Sequence, residues 1–331
     1  MKVLITGGGG FIGSHLSDAF LAAGHDVVAL DIGPDFKVRH LLENPHFKYV
    51  KDSIFNMDLL HALISKCDLV YHLAAVVGVE HYVADPYSVL NVNVNGTQNV
   101  FKLCQLYEKR VCFASTSEVY GKSKDVPMRE DGDRLLGPTS IDRWCYSTSK
   151  AVGEHFAFAY QKLGLQMSIV RFFNAYGPRL DKLDVGRVIT IFMGQLLRGD
   201  DITVVGDGKQ TRAFTYVDDT VRALVQAGTR KEALGGIFNI GNDKETTVLE
   251  LAEAMLKAMP GSKSQIKFVT QQQIYGKSYE DVPRRVPDIT RMREILKVNP
   301  DISLEEGVKR TVHWFKDVVE KSGGKASAAS Y

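Results

Sequence analysis

The chain has 331 residues, 44% of them hydrophobic, and its 41 lysines and arginines nearly balance its 39 aspartates and glutamates, for a formal net charge of +2. This length and apolar content allow a large buried core, which predicts a globular protein. The charges are spread without long blocks, which excludes a broad basic surface for nucleic acid or an anionic membrane; any anion site must be built locally.

The chain begins with the pattern of a strand, a tight turn and a helix. Lys2 to Thr6 is an apolar, β-branched run, Gly7 to Gly13 has glycines at G-x-x-G-x-x-G spacing, and Ser14 to Ala23 has helical periodicity. Such a turn lets the backbone approach a pyrophosphate at the positive end of a helix, although a purely structural turn uses the same glycines. We predict that the phosphates of a dinucleotide are bound by Gly7, Gly10, Phe11, Ile12 and Gly13.

The next strands supply candidate contacts for the rest of the dinucleotide. Asp31 ends a strand that starts at His25, where a carboxylate accepts hydrogen bonds from ribose hydroxyls and repels a 2′-phosphate, which favours NAD over NADP. Asp52 follows the strand Phe47 to Val50, within reach of the adenine edge. Small residues follow the fourth strand, where a backbone must lie close to the cofactor: Leu73, Ala74 and Ala75. Asp52 and the segment Leu73 to Ala75 are each as compatible with a packing role as with cofactor binding.

Strands and helices continue to alternate through Val111 to Ser115 and Ser168 to Phe172. This alternation predicts an α/β fold, a Rossmann-type doubly wound parallel sheet with helices on both faces. After Gly177-Pro178 the pattern becomes less regular, with a helix at Val188 to Arg198 and a strand at Ile202 to Val205. A smaller α/β region therefore begins there.

A strand at Phe238 to Gly241 looks able to rejoin the large sheet, and helices are predicted at Val248 to Met259 and Leu304 to Glu320. The two regions are therefore expected to be interleaved. We predict an NAD-binding domain at 1–175 with a return segment at about 213–245, a substrate-binding domain at 176–320, and a disordered tail at 321–331.

Tyr146 and Lys150 are four residues apart and share one face of a predicted helix. A phenol with a pKa of about 10 is a poor base at neutral pH, and a lysine ammonium and a nicotinamide cation both favour the phenolate. Tyr146 would then take a proton from a sugar hydroxyl that Thr116 positions, while a hydride passes to NAD. The spacing alone is common on surface helices, but after the glycine loop and Asp31 it predicts an NAD-dependent oxidoreductase.

The cysteines indicate a reducing environment. Cys67, Cys104, Cys112 and Cys145 form no C-x-x-C pair and have no ligand spacing with histidine, which predicts structural thiols and no metal site. A strand follows Met1 directly, and no apolar run reaches about 18 residues, the length of a membrane span. We therefore expect a cytoplasmic protein without a membrane partner.

Six motifs within residues 1 to 318 resemble one known family. They are the glycine loop, Leu73-Ala-Ala75, Asn93-Val-Asn95-Gly-Thr97, Ser115-Thr-Ser117-Glu-Val-Tyr-Gly121, Tyr146-x-x-x-Lys150 and Arg171-Phe-Phe-Asn174-Ala-Tyr-Gly-Pro178. Together they resemble the extended short-chain dehydrogenase/reductases that act as NAD-dependent nucleotide-sugar epimerases and dehydratases. The resemblance implies a UDP-sugar type of substrate, oxidation at C4 by a tightly held NAD, and a homodimer formed through the helices bearing Tyr146 and Lys150. Ser53, Asn95 and Phe172 join the predicted NAD contacts.

The residues beside the C4 ketone help to separate the reactions known in this family. Simple 4-epimerases have a serine-rich strip, so Glu118 counts against epimerisation. Thymidine-linked dehydratases carry an aspartate where this chain has Ser117, whereas guanosine-linked mannose dehydratases share Thr-Ser-Glu. Epimerase and 4,6-dehydratase therefore remain alternatives. The non-enzymatic alternative is an NAD-binding sensor or scaffold, against which the intact Thr116, Tyr146 and Lys150 argue.

The second region resembles the UDP-glucuronic acid decarboxylases, among them UDP-xylose synthases and the decarboxylase domain of the bacterial lipid A modification enzyme. The similar segments are Arg143-Trp-Cys-Tyr146, Gly208-Lys-Gln-Thr-Arg212 and Tyr275 to Pro287. The resemblance implies substrate contacts by Thr116, Ser117, Arg143, Asn174, Arg212 and Tyr279, and places Glu118 and Arg285 beside C5.

Charge supports the same interpretation, because a diphosphate and a carboxylate need several cations and the planar guanidinium group suits both. We add Tyr82 and Arg187 to the substrate contacts, although a surface position is the alternative for Arg187. The predicted catalytic residues are Thr116, Glu118, Tyr146, Lys150 and Arg285. The predicted reaction is C4 oxidation of UDP-glucuronic acid followed by decarboxylation to UDP-4-keto-pentose or UDP-xylose.

Overall fold

A parallel sheet forms the centre of the computed structural model, which describes residues 1–180, 183–184, 186–270 and 284–321. The strands are β1 (Lys2–Thr6), β2 (Asp26–Asp31), β3 (Phe47–Lys51), β4 (Leu69–His72), β5 (Arg110–Thr116), β6 (Met167–Phe172), β7 (Ala175–Tyr176), β8 (Ile202–Val205), β9 (Thr211–Ala213), β10 (Thr215–Tyr216), β11 (Ile237–Ile240), β12 (Glu245–Thr247) and β13 (Ile266–Val269). The α-helices are α1 (Phe11–Ala22), α2 (Met57–Ile64), α3 (Val79–Ala84), α4 (Pro86–Leu90), α5 (Thr97–Leu106), α6 (Arg143–Lys162), α7 (Val188–Arg198), α8 (Val217–Thr229), α9 (Val248–Ala258), α10 (Thr290–Glu294) and α11 (Leu304–Lys321).

The strand order of the large sheet is β3-β2-β1-β4-β5-β6-β11, and all neighbours run parallel. The chain reverses its winding direction between β1 and β4. This is the order of a doubly wound dinucleotide-binding fold, in which ligands bind outside the carboxyl ends of the strands at that switch point. The predicted fold class is confirmed.

The sheet is buried on both faces because alternate side chains of each strand enter different hydrophobic clusters. Val3 and Ile5 of β1 belong to the cluster that contains Phe20 of α1. Leu4 belongs to the opposite cluster, together with Phe101 of α5. Period-two alternation between two apolar layers explains why these strands appear in the sequence as continuous apolar runs.

A smaller region is interleaved with the sheet. The pairs β7–β10, β8–β13 and β9–β12 form short two-stranded sheets, of which the last is antiparallel. Between them, α8 packs on the large sheet and β11 pairs with β6, so the predicted return of the chain to the sheet is confirmed. The domain limits at residues 175 and 320 stay predictions, and the tail from 322 lies outside the described residues.

Two further features of the fold bear on the expectations above. The first helix begins at Phe11, three residues before the predicted start, because Gly10 already serves as its N-cap. Within the described ranges, no helix is both long and apolar enough to cross a membrane.

Candidate active site

The glycine loop between β1 and α1 brings the backbone close to the end of β4. Gly7 has a φ of 73°, in the left-handed region, and a Cβ atom there would lie 2.7 Å from the backbone nitrogen of Ala74. A Cβ atom on Gly13 would overlap the carbonyl oxygen of Gly7. Phe11 and Ile12 occupy the first positions of α1, where backbone N–H groups lack partners within the helix. The loop therefore fits a pyrophosphate.

The Asp31 carboxylate is fixed at the end of β2. One oxygen accepts a hydrogen bond from the N–H of Gly9 at 2.9 Å, and the other accepts one from the N–H of Gly33 at 2.9 Å. A carboxylate offers about four acceptor sites, so two remain for ribose hydroxyls. An immobile negative charge beside the loop fits NAD and disfavours a 2′-phosphate.

Asp52 and Ser53 lie in the turn from β3 to α2. The Asp52 carboxylate accepts hydrogen bonds from the Ser53 N–H at 2.6 Å and from the Asn56 side chain at 2.9 Å. Asn56 in turn caps α2 by accepting from the N–H of Leu59 at 3.2 Å. Asp52 thus has a structural role in this turn, whichever ligand lies nearby.

Leu73, Ala74 and Ala75 follow β4 and border the glycine loop, where the Ala74 N–H donates to the Thr6 hydroxyl at 3.4 Å. Phe172 ends β6 beside Thr116, its register partner on β5. These positions lie at the carboxyl edge of the sheet, where the fold predicts the cofactor.

Asn95 is exposed, and its amide donates to Asn91 at 2.8 Å. Asn93, which is not among the predicted site residues, is completely buried. Its side chain accepts from the Val76 N–H at 2.8 Å and donates to the Ser149 hydroxyl at 3.1 Å, so it ties the loop after β4 to α6. The sequence feature that could have indicated Asn93 is its position in the motif Asn93-Val-Asn95-Gly-Thr97, two residues before Asn95.

Tyr146 and Lys150 lie one turn apart on α6, as predicted, and both are buried. The Thr116 side chain at the end of β5 lies close enough to the Tyr146 phenol to lower its pKa. Tyr82 stacks on Tyr146 with ring centroids 4.7 Å apart and an interplanar angle of 9°. The structure therefore brings together the predicted tyrosine, lysine and threonine.

Burial changes the pKa of both ionisable groups in this centre. Burial, together with the Glu118 charge, raises the pKa of Tyr146 to about 12, against the lowering effects of the Thr116 hydroxyl and the Arg187 charge. Burial also lowers the pKa of Lys150 to about 7, although the nearby Glu154 opposes this. Among the protein's own groups desolvation outweighs the lowering effects, so the lowered pKa expected for Tyr146 depends on the nicotinamide cation and stays a prediction.

Glu118 lies in a short 3₁₀-helix, Ser117–Tyr120, directly after β5, and its carboxylate meets several arginines. Arg285 Nη1 donates to Glu118 Oε1 at 2.5 Å, and Arg143 Nη2 lies 3.7 Å from Oε2. Burial by itself raises the pKa of the Glu118 carboxyl, but the charges of Arg285, Arg143 and Arg212 outweigh it, and the pKa is lowered. Four predicted residues from distant parts of the chain thus converge.

The other predicted substrate contacts surround this cluster. Tyr82 is buried, its phenol oxygen accepts the N–H of Gly78 at 3.0 Å, and its pKa is raised by burial and by Tyr146. Arg187 donates to the carbonyl of Ala175 at 3.1 Å, and its charge acts on both tyrosines. Arg187 is therefore part of the site rather than a distant surface group.

Asn174 donates to the carbonyl of Ala213 at 3.2 Å, next to Arg212 on β9. Ser117 is buried beside Glu118. Tyr279 lies outside the described residues. Within the described ranges, no group of three histidine, cysteine, aspartate or glutamate side chains is arranged to hold a metal ion.

A doubly wound sheet with a buried tyrosine–lysine pair at the carboxyl edge is the architecture of NAD-dependent short-chain dehydrogenases and reductases, and this sets the class of the protein. The model of the NAD dependent epimerase/dehydratase family matches residues 3–241, and the chain belongs to this family. Its cofactor is NAD.

Relatives with assigned activities extend over almost the whole chain. UDP-N-acetyl-alpha-D-glucosaminuronate decarboxylase from Bacillus cytotoxicus is 39% identical over 318 residues, which cover 96% of this chain and 98% of that protein. UDP-glucuronic acid decarboxylase 1 from Arabidopsis thaliana is 36% identical over 330 residues, covering 98% of this chain and 72% of that protein. Among solved structures, UDP-glucuronic acid 4-epimerase from Bacillus cereus, in complex with UDP-glucuronic acid and NAD, has a TM-score of 0.82 at 30% identity and covers 96% of this chain and 99% of that one.

Proposed function

We propose that the protein is an NAD-dependent decarboxylase of UDP-glucuronic acid, which oxidises C4 of the sugar and then releases its C6 carboxylate as carbon dioxide. The observation that carries this proposal is the convergence of Arg285, Arg143 and Arg212 on Glu118, beside the Thr116–Tyr146 pair. A cluster of guanidinium groups suits a sugar that carries a carboxylate, since arginine binds carboxylates through paired hydrogen bonds. A neutral hexose has no carboxylate, so Glu118 would be the negative group in this cluster that balances the three arginines.

In the oxidation step, Thr116 holds the C4 hydroxyl of the sugar and Tyr146 accepts its proton. When bound, NAD accepts a hydride from C4, can return it later, and brings a positive ring that opposes the effect of burial on the Tyr146 phenol. Lys150 lies one helical turn from Tyr146. Its pKa of about 7 allows it to gain or lose a proton readily at neutral pH. The product of this step is a β-keto acid.

In the decarboxylation step, the bond between C5 and C6 breaks and its electron pair moves into the C4 carbonyl, which gives an enolate and carbon dioxide. Arg285 binds the departing carboxylate and then the enolate. Its guanidinium group, with a pKa above about 12, does not serve as the acid that protonates C5. That proton comes from water or from Glu118.

The substrate carboxylate is expected to share the charge of Arg285 with Glu118, since Glu118 accepts a hydrogen bond from Nη1 and a guanidinium group has five N–H donors. A second carboxylate close to Glu118 raises the pKa of Glu118, against the lowering effect of the Arg285, Arg143 and Arg212 charges. Glu118 therefore gains a proton more easily after the substrate has bound. This change in protonation suits a residue that delivers a proton to C5.

Two other substrates or reactions have specific support. The relative from Bacillus cytotoxicus is named for UDP-N-acetyl-alpha-D-glucosaminuronate, which makes a 2-acetamido uronic acid the second candidate substrate. The similar structure from Bacillus cereus is a UDP-glucuronic acid 4-epimerase, which keeps epimerisation as the alternative reaction. A 4,6-dehydratase and an NAD-binding sensor remain the more distant alternatives.

The test is to incubate the protein with NAD and either UDP-glucuronic acid or its 2-acetamido analogue, and to follow products by NMR together with carbon dioxide release. We expect a UDP-pentose or its 4-keto form. A UDP-galacturonic acid product with no carbon dioxide identifies an epimerase. A 4-keto-6-deoxy sugar formed from a neutral hexose nucleotide identifies a dehydratase, and stoichiometric NAD binding without turnover supports a sensor.

We further propose a homodimer formed through α5 and α6, with the region from 176 to 320 holding the sugar nucleotide. Leu106 on α5 and Phe158 on α6 are exposed hydrophobic side chains, which is compatible with an interface at these helices. The cysteines are unpaired thiols, which supports a cytoplasmic location. Light scattering of the purified protein tests the dimer, and microscopy of a fluorescent fusion tests the location.

A further inference from the structure

Tyr120 and Asn239 have no role in the chemistry described above, although both lie close to it. Tyr120 ends the short helix that carries Glu118, and Asn239 lies on the edge strand β11. The Tyr120 hydroxyl donates to Asn239 Oδ1 at 2.7 Å, and both residues are buried. A buried hydrogen bond between two side chains 119 residues apart joins two separate parts of the site.

Asn239 fixes the segment that carries Arg285. Its side-chain amide donates to the carbonyl of Met128 at 2.8 Å and to the carbonyl of Asp288 at 3.1 Å. Met128 also bonds to this segment through its backbone, donating to Val286 and accepting from Asp288, each at 2.8 Å. The residues that follow Arg285 are therefore held against Asn239.

Tyr120 is fixed from its other side by a buried ion pair. The guanidinium of Arg171 lies over the Tyr120 ring, 4.7 Å from its centroid. Arg171 makes two hydrogen bonds to Glu154, at 2.9 and 2.7 Å, and Glu154 also accepts from Ser115 at 2.5 Å. The Tyr120 ring therefore has a fixed position relative to β5 and α6.

We propose that Tyr120 and Asn239 are positioning residues for decarboxylation: their hydrogen bond holds the helix bearing Glu118 at a fixed distance from the segment bearing Arg285. This inference rests on the proposed function. Misplacement by about 1 Å is enough to slow a positioned reaction strongly, so the pair needs such a support. Oxidation depends instead on Thr116 and Tyr146; Thr116 caps the same short helix at its other end, accepting the Glu118 N–H at 3.2 Å, while the described side-chain bond of Tyr120 goes to Asn239.

The experiment compares Tyr120→Phe and Asn239→Ala with the wild-type full-length protein in single turnovers with NAD. Tyr120→Phe removes one oxygen and keeps the ring beneath Arg171. The rate of C4 oxidation is followed by NADH absorbance, and the rate of decarboxylation by carbon dioxide release. We expect the ratio of decarboxylation to oxidation to fall about tenfold, the effect that one lost buried hydrogen bond can produce.

Tyr71→Phe is the matched control, since Tyr71 is equally buried and donates a single hydrogen bond, to the carbonyl of Val225 at 3.1 Å. We expect it to leave the ratio unchanged, even where it lowers stability. An unchanged ratio in Tyr120→Phe overturns the inference, and so does an equal fall in Tyr71→Phe, which would indicate general loosening. If Asn239→Ala does not fold, the ratio measured for Tyr120→Phe alone is sufficient to test the inference.

The wild-type protein separates this inference from the proposed function. The ratio is measured with whichever uronic acid nucleotide the wild-type protein decarboxylates. A wild-type protein that releases no carbon dioxide from either nucleotide overturns the proposed function and this inference with it. A wild-type protein that decarboxylates while Tyr120→Phe keeps its ratio overturns this inference alone.

Discussion

Glu118 and Arg285 form an ion pair at the centre of the site, with 2.5 Å between Oε1 and Nη1, although 167 residues separate them in the chain. The side chains are only 23% and 10% exposed, so water screens this pair weakly. A carboxylate bound beside Arg285 would raise the pKa of Glu118 through repulsion between the two negative charges. In the proposed function the pair therefore links the binding of a uronic acid to the protonation of Glu118.

The first prediction concerns the geometry of Arg285. Arg285→Lys keeps the positive charge but loses the planar fork that holds a carboxylate through two hydrogen bonds. We expect decarboxylation to fall about 100-fold, as when one preorganised donor is removed from an active site, while C4 oxidation stays within a few fold. Carbon dioxide release and NADH formation measure the two steps. Near wild-type decarboxylation in Arg285→Lys would mean that charge alone is required, and Arg293→Lys serves as a surface control.

The second prediction concerns the proton that C5 receives. Glu118→Gln keeps the size of the side chain and one acceptor for Arg285 but can neither hold nor deliver a proton. We expect transient NADH absorbance and carbon dioxide release in a single turnover to remain, whereas formation of the C5-protonated UDP-pentose or its 4-keto form falls about 100-fold or more, the usual contribution of a general acid. If the rate of formation of this product is unaltered, Glu118 has no part in protonation and water supplies the proton.

The sequence predicted the fold and the proximity of Tyr146 and Lys150 because both depend on local patterns. Buried parallel strands appear as apolar runs, and a spacing of four residues places Tyr146 and Lys150 on one face of any α-helix. Contacts between segments that are distant in the chain cannot be predicted from local patterns. Arg285 was assigned to C5 by resemblance, and only the folded chain brings it to Glu118.

Two details of the site were beyond sequence patterns for physical reasons. Asn93 rather than Asn95 faces the interior, because residues Asn91–Gly96 form a π-helical turn, which is wider than an α-helical turn and shifts the inward face. The raised pKa of Tyr146 depends on how completely its ring is buried, which no spacing of residues reveals.

The third prediction concerns a carboxylate that holds two arginine-bearing segments together. Glu245 accepts two hydrogen bonds from Arg284, each at 2.7 Å, and one from the Thr211 hydroxyl at 2.8 Å. Thr211 precedes Arg212, and Arg284 precedes Arg285. We expect Glu245→Gln to raise the KM for the sugar nucleotide about tenfold with little change in kcat, because Arg212 and Arg285, the proposed substrate contacts, lose their spacing.

The control for this prediction is Asp243→Asn, two residues away. Asp243 makes a similar two-point pair with Arg293, at 2.8 and 3.1 Å, and Arg293 is not one of the predicted substrate contacts. The KM of Asp243→Asn should match the wild type. Equal effects of both substitutions would mean that surface charge acts on the site as a whole. Restoration of KM in the exchanged pair Glu245→Arg with Arg284→Glu would support the spacing role.

The fourth prediction concerns the pH dependence of stability. Burial lowers the pKa of Lys150 to about 7 in the folded protein, whereas an unfolded chain has a lysine pKa of about 10.4. Between these values the unfolded chain binds a proton that the folded protein does not, so folding becomes more favourable as pH rises. Below pH 7 both states are protonated and this contribution no longer changes. The free energy of unfolding of the wild type should therefore rise relative to Lys150→Met, by at most about 1.4 kcal/mol per pH unit from about pH 7 to about pH 9.

Urea unfolding of both proteins at several pH values measures this difference, with Lys102→Met, at an exposed position on α5, as the control. Parallel pH profiles for the wild type and Lys150→Met would show that Lys150 keeps its proton in the folded state.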